Sequence, residues 1–128
     1  MRLAIFENEQ SQVEGAFNFL NRRYYGGNLE ISYFSNSQSG KPYEDLEKFD
    51  IIFVDIELST TSELDGFKLL AKLNEVGLSN RLVVLTGFSK VEQNLKEYNL
   101  PNYEVVQKPF SFLRLKEVIN KIAPPPSN

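Results

Sequence analysis

Cysteine and histidine are both absent from the 128 residues. Without cysteine there is no disulfide, no thiolate nucleophile and no zinc–thiolate site. Without histidine the commonest general base is missing, and with it Ser-His triads and most transition-metal centres. Long apolar runs are missing too, since none approaches the ~20 residues that span a bilayer. There is no cationic excess: 14 Lys and Arg face 17 Asp and Glu, the formal charge is -3, and the basic residues are scattered. That argues against a nucleic-acid surface. Arg2 is followed by an acidic segment, so the N-terminus does not read as a signal peptide. These absences lead us to expect a cytoplasmic location without a membrane partner. The lack of cysteine suits a reducing compartment without requiring one.

What the chain does have is four short apolar runs, each followed by a polar residue able to do chemistry. Leu3-Ala4-Ile5-Phe6 leads to Glu7-Asn8-Glu9, Ile51-Ile52-Phe53-Val54 to Asp55, Leu82-Val83-Val84-Leu85 to Thr86, and Val105-Val106 to Lys108 one residue further on. Apolar runs without alternation read as strands buried on both faces, as in a parallel sheet. Ligands of open parallel sheets bind outside the carboxyl ends of the strands. Acids, a hydroxyl and an amine are thus expected at one sheet edge.

Between these runs the pattern turns helical. Val13, Ala16, Phe17, Leu20 and Tyr24 recur at helical spacing until Gly26-Gly27 stops them. Leu29, Ile31 and Tyr33 alternate with polar residues, as in a half-exposed strand near a sheet edge. Residues 35–41 read as loop, and 43–48 as a short helix with Pro42 suited to its first turn. Residues 64–76 form a helix with Phe67, Leu70 and Leu73 on one face and Gly77 as the stop. Ser89 and Glu92 read as a capping box for a helix buried through Val91, Leu95 and Tyr98. Residues 103–107 are the last strand, and Ser111 caps a final helix carrying Leu115, Val118, Ile119 and Ile122. Strands alternating with helices predict one α/β domain over residues 1–123: a doubly wound, five-stranded parallel sheet with helices on both faces. A domain of this length buries roughly two-thirds of its unfolded surface and needs no staples. Pro124-Pro125-Pro126 reads as a stiff linker or tail over 124–128.

Taken alone, Asp55 reads as a solvated strand-end or capping residue, and Thr86 as an ordinary strand residue. Together with Lys108 they permit more. A carboxylate can attack a phosphoryl donor and form an aspartyl phosphate. Such a site needs a divalent cation against the accumulated negative charge, and a hydroxyl and an ammonium for the remaining oxygens. Mg²⁺ prefers oxygen ligands, which Glu7, Asn8, Asp55 and a backbone carbonyl just after Asp55 could supply.

These residues, in this order, resemble the CheY-like receiver domain of two-component response regulators, a doubly wound family with strand order 2-1-3-4-5. The resemblance runs from Arg2 to about Ile122. Its pieces are the acidic turn after the first strand, FDIIFVD ending in Asp55, LDGFKLL, VVLTG with Thr86, and VVQKPF with Lys108-Pro109. It implies a phosphoprotein in which a sensor histidine kinase or phosphotransfer protein phosphorylates Asp55 with Mg²⁺. Asp55, Thr86 and Lys108 are then the catalytic residues, and Glu7, Asn8, Asp55 and Glu57 the metal set. It implies no enzyme beyond catalysis of its own phosphorylation and dephosphorylation. It also implies a cis Lys108-Pro109 peptide, and an output face built from residues 89–98, 103–107 and 111–122 that binds a protein partner or a second copy.

The chain departs from the family in several places. Glu7-Asn8 stands where the family has Asp-Asp, which removes one charge from the metal site; Glu9 contributes if the register shifts. The loop after Asp55 is longer than usual, and Ser59 stands where a proline is familiar. Glu57 and Phe88 occupy the two positions that flank the phosphoryl group, and Phe88 predicts slow autodephosphorylation by excluding water. Val105 replaces the switch aromatic. Tyr103 has the same strand parity, which leaves two readings for it, a substitute switch or an aromatic packed on a helix. Asn8 and Val105 also support an alternative, a pseudo-receiver that acts as a phosphorylation-independent interaction module. Retention of Asp55, Thr86 and Lys108 favours the phosphorylatable receiver. A flavodoxin-like binder is disfavoured because Glu7-Asn8-Glu9 would repel an anion.

Overall fold

The computed structural model describes residues 1–58, 60–87 and 91–123. The tail expected at 124–128, Ser59, Phe88 and the Ser89 cap lie outside the described residues. Five parallel strands form one sheet in the order β2-β1-β3-β4-β5. They are β1 (Arg2–Phe6), β2 (Glu30–Phe34), β3 (Ile51–Asp55), β4 (Leu82–Thr86) and β5 (Glu104–Gln107). Every residue of β3 and β4 is buried, as continuous apolar runs require. β2 is an edge strand whose Ile31 and Tyr33 are half-buried.

The strands divide the core by parity. Leu3, Ile5, Ile51, Phe53, Val83 and Leu85 face α1 (Gln10–Tyr24) and α4 (Phe112–Ile122), which contribute Val13, Phe17, Leu20, Leu115, Val118 and Ile119. Ala4, Phe6, Ile52, Val54, Leu82 and Val84 face α2 (Gly66–Glu75) and α3 (Glu92–Glu97). Each fully buried Leu, Ile or Phe stabilises the fold by roughly 1.5–3 kcal/mol. α1 ends as its sequence predicts, with Gly26 and Gly27 at φ +61° and +77°. α4 starts as predicted, with Ser111 Oγ accepting from Arg114 N–H at 3.3 Å.

Four elements differ from the sequence reading. The short helix expected at 43–48 forms over Tyr43–Lys48 but is 3₁₀ rather than α, and a second 3₁₀ turn, Gln38–Gly40, lies in the stretch read as loop, so the crossover from β2 to β3 carries no α-helix. Its apolar residues are too few for a 3.6-residue stripe. α2 begins at Gly66 rather than residue 64, because Asp65 Oδ1 accepts from Lys68 N–H at 2.8 Å and so caps the helix. α3 begins at Glu92 after Val91, which makes no side-chain cap; Val91 and Leu95 are buried, but Tyr98 is exposed and stacks on Phe67 with ring centroids 5.2 Å apart. β5 begins at Glu104, one residue after Tyr103.

Candidate functional site

β1 and β3 are adjacent, and the chain leaves them toward opposite ends of the sheet. The crevice at their carboxyl ends is therefore the topological switch point. Glu7 directly follows β1, and its N–H donates to Phe34 O at 3.0 Å. Asp55 ends β3. Counted by two from the core, Glu7, Asp55 and Lys108 share the parity of the residues facing α1 and α4. They meet: Lys108 Nζ donates to Glu7 Oε2 and to Asp55 Oδ2, each at 2.7 Å. The remaining carboxylate oxygens are held by backbone. Glu9 N–H donates to Glu7 Oε1 at 3.1 Å, and Glu57 N–H to Asp55 Oδ1 at 2.8 Å. The Lys108-Pro109 peptide is cis, as expected, and Lys108 N–H donates to Thr86 O at 2.8 Å.

Both carboxylates are buried, Glu7 at 2 % exposure and Asp55 at 1 %. Two acids and one ammonium leave a negative excess. Burial, reinforced by the neighbouring Asp55 carboxylate and only partly opposed by Lys108, pushes Glu7 up to about 7. For Lys108, burial pulls downward, but the two carboxylates outweigh it and hold the ammonium above its usual value.

A cleft of about 240 Å³ opens over this triad, lined by Glu7, Asn8, Glu9, Gln12, Asp55, Glu57 and Lys108. The four residues named as a metal set, Glu7, Asn8, Asp55 and Glu57, thus all line this cleft. The donors are oxygens only, which suits Mg²⁺ in kind. Their number is small: among the described residues no group of three acidic side chains is placed to hold a metal ion.

Thr86 differs from the other candidates. It is fully buried at the end of β4 and does not line the cleft. It has the parity of Leu82 and Val84, the residues that face α2 and α3. Counting by two along the sequence reveals this without a structure. Tyr103 and Val105 both pack in the layer of α2 and α3, and the Tyr103 hydroxyl lies 2.9 Å from Ser79 Oγ. This is the arrangement of a packed aromatic. Sequence reasoning missed Gly66, which lies against the backbone of Asp55: a Cβ there would stand 2.3 Å from Asp55 O. It was legible only as the second residue of Asp65-Gly66.

The family model for the response regulator receiver domain matches residues 3–120. The chain belongs to the response regulator receiver family. The receiver is 24 % identical over 99 residues to the transcriptional regulatory protein ZraR of Salmonella typhimurium, covering 77 % of this chain and 21 % of that protein. It therefore spans about a fifth of that curated relative's length. It is 25 % identical over 104 residues to the response regulator receiver protein CpdR of Brucella abortus, covering 81 % of this chain and 82 % of that one. Among solved structures, the receiver domain of a DNA-binding response regulator from Colwellia psychrerythraea superposes with a TM-score of 0.75 at 18 % identity, over 95 % of this chain and 97 % of that one. A CheY-like receiver domain from Methanospirillum hungatei gives 0.69 at 19 % identity, over 94 % and 90 %. The parallel order β2-β1-β3-β4-β5 is the architecture of these receivers. Among the described residues no helix is long and apolar enough to cross a membrane.

Proposed function

We propose that this receiver accepts a phosphoryl group on Asp55 from a histidine kinase or phosphotransfer protein and thereby switches a protein-binding surface. The observation that carries the reading is the Asp55 carboxylate itself. It ends a fully buried strand, faces a 240 Å³ cleft, and is oriented by Lys108 and the Glu57 N–H. An Asp55 carboxylate oxygen attacks phosphorus, and the bond from phosphorus to the donor breaks. The donor leaves with that electron pair, a histidine nitrogen taking up a proton or acetyl phosphate yielding acetate. Lys108 then stands beside the aspartyl phosphate, where its charge offsets the phosphoryl oxygens. The fixed Lys108 and Glu57 N–H keep the carboxylate in one orientation before reaction, which lowers the entropic part of the barrier.

Asp55, Glu7 and the Asn8 amide oxygen would hold Mg²⁺, with the Glu57 side chain at the rim of the same cleft. The ion supplies charge neutralisation between carboxylate and phosphoryl oxygens. A second groove, of about 340 Å³, is lined by Gln12, Val13, Ala16, Lys108, Pro109 and Phe110. It shares Gln12 and Lys108 with the cleft, and its apolar floor suits the approach of a donor protein. In this reading the chain catalyses only its own phosphorylation and dephosphorylation, in the cytoplasm, and signals through α3, β5 and α4.

The test is incubation with Mg²⁺ and acetyl phosphate, followed by intact-mass analysis. The expected result is the mass gain of one phosphoryl group, lost in Asp55→Asn and on chelation. A second reading, the phosphorylation-independent interaction module, is favoured by Asn8 in the acidic turn and by the lack, among the described residues, of three acidic side chains grouped to hold a metal ion. No mass gain and no response to beryllofluoride at ample Mg²⁺ would select that reading instead.

A further inference from the structure

The crossover between β2 and β3 carries no α-helix, yet it is not loose. It is bolted to the segment that follows the phosphoacceptor strand. Ser37 is fully buried at the centre of the junction. Its Oγ accepts from Leu64 N–H at 3.0 Å and lies 3.0 Å from Ser62 Oγ. Its N–H donates to Ser62 Oγ at 2.9 Å. Gln38 adds two more links: its Nε2 donates to Thr61 O at 3.0 Å, and its Oε1 accepts from Glu63 N–H at 2.9 Å. The Gln38 links are exposed, as is the outermost one, Lys41 to Glu63 at 3.0 Å; the Ser37 links are the shielded part of the clamp.

Both ends of this clamp reach the site. On one side the crossover is seated on Phe6, the residue before Glu7: a Cβ at Gly40 would stand 2.6 Å from Phe6 Cζ. On the other side Leu64 leads through Asp65 to Gly66, whose N–H donates to Ile56 O at 3.3 Å and which abuts the Asp55 carbonyl. The clamp is thus continuous, through Leu64, Asp65 and Gly66, with the backbone behind Asp55.

We propose that Ser37 is a positioning residue for the Asp55 site. It acts through Ser62 and Leu64 on Gly66 and the Asp55 backbone, and it sets how readily water reaches the aspartyl phosphate. The inference rests on the phosphorylation reading above. The step it governs is hydrolysis: a water oxygen bonds to phosphorus, the bond from phosphorus to the Asp55 oxygen breaks, and the carboxylate is regenerated. Inorganic phosphate leaves, and the protons of the water pass to it and to solvent. Loosening the clamp admits water and shortens the lifetime.

The test compares wild type with Ser37→Ala, Ser62→Ala, the double variant and Ser62→Thr in the intact chain. Two quantities are followed: amide hydrogen exchange at Leu64, Gly66 and Glu57 without phosphodonor, and decay of the phosphorylated protein by intact mass. The expected result is exchange faster by about tenfold at Leu64 and Gly66 in both alanine variants. The phosphoryl lifetime falls severalfold, the double variant is no worse than Ser37→Ala, and Ser62→Thr recovers both readouts because it keeps the hydroxyl. Lys41→Met, which removes the exposed pair, leaves both unchanged. Should Ser37→Ala fail to fold, the half-buried Ser62 pair of variants decides alone. Unchanged exchange, or faster exchange with an unchanged phosphoryl lifetime, overturns the inference. If wild type takes up no phosphoryl group, the phosphorylation reading fails separately, and the lifetime role fails with it. The exchange data then still report whether Ser37 holds Gly66 against Asp55.

Discussion

Glu7 is the residue at which sequence and environment conflict most. A buried carboxylate beside a second one binds its proton tightly, and Glu7 titrates near 7 instead of its ordinary 4.5. Between those values the folded state holds a proton that the unfolded state has released. Stability contributed by this group is therefore complete below about pH 4.5 and is lost as pH rises through 7. The full shift is worth roughly 3 kcal/mol as an upper bound, since one pH unit corresponds to about 1.4 kcal/mol. No histidine is present to titrate in the same window. The metal-free protein should thus show a urea midpoint that falls steadily from pH 5 to pH 7.5. In Glu7→Gln that slope should be nearly flat. An equal slope in the variant would show that another group carries it. Lys108 counts in the opposite direction. Removing the ammonium by Lys108→Met leaves two buried carboxylates facing each other. That should cost about 3 kcal/mol or more at pH 8 and distinctly less at pH 5, where Glu7 is protonated. Equilibrium unfolding at the two pH values checks both magnitude and sign.

At the scale of elements, the start of α2 does two jobs that can be separated by mutation. Asp65 closes the helix with its side chain, and Asp65→Ala should lower stability by about 1 kcal/mol, the usual worth of an N-cap. Gly66 has no side chain because the Asp55 carbonyl occupies that space. Gly66→Ala must displace backbone rather than a side-chain tip, and should cost more than the cap, roughly 1–3 kcal/mol. It should also depress phosphoryl labelling of Asp55, whereas Asp65→Ala should leave the labelled fraction nearly intact. Denaturation midpoints and intact-mass labelling on the same samples separate the two effects. The pair also shows what was legible in the sequence. β1, β3 and β4 were readable because continuous apolar runs have few other solutions. The triad of Glu7, Asp55 and Lys108 was readable because strand ends in a parallel sheet converge. The start of α2 was misplaced because Leu64 extends the apolar pattern outward past its cap. The clamp at Ser37 left no signal, since polar residues in a loop look alike whether they face solvent or a second loop. Thr86 was recognisable as a candidate, and it is fully buried at the end of β4; its shared parity with Leu82 and Val84 follows only when the whole strand is counted.

Across the whole molecule, stability is distributed unevenly, and the site sits on the boundary. β1, β3 and β4 form the centre of the sheet, almost entirely buried between two helical layers. β5 is a four-residue edge strand in which Val106 alone is fully shielded, and α3 has six residues with Leu95 as its buried anchor. Charges at the margin of this side brace it: half-buried Glu104 pairs with half-buried Arg114 at 3.2 Å and with exposed Lys121, and Arg114 also donates to Val105 O at 3.0 Å. Such charge-assisted contacts stabilise weakly at a surface. Local opening should therefore be easier here than in β1, β3 and β4. Lys108 directly follows β5, so the same ammonium that holds Glu7 and Asp55 anchors this edge strand to the centre of the sheet. A ligand that tightens the hold on Lys108 must then stabilise β5 and what packs on it, by linkage. Amide exchange should accordingly be slowest in β1, β3 and β4 and fastest in α3 and β5. Addition of Mg²⁺ and beryllofluoride should slow exchange in β5 and α3 far more than in β1, and Asp55→Asn should remove that response. Protection that rose uniformly over the sheet would mean that Lys108 does not transmit the state of Asp55, and that the surface of α3, β5 and α4 is not the one being switched.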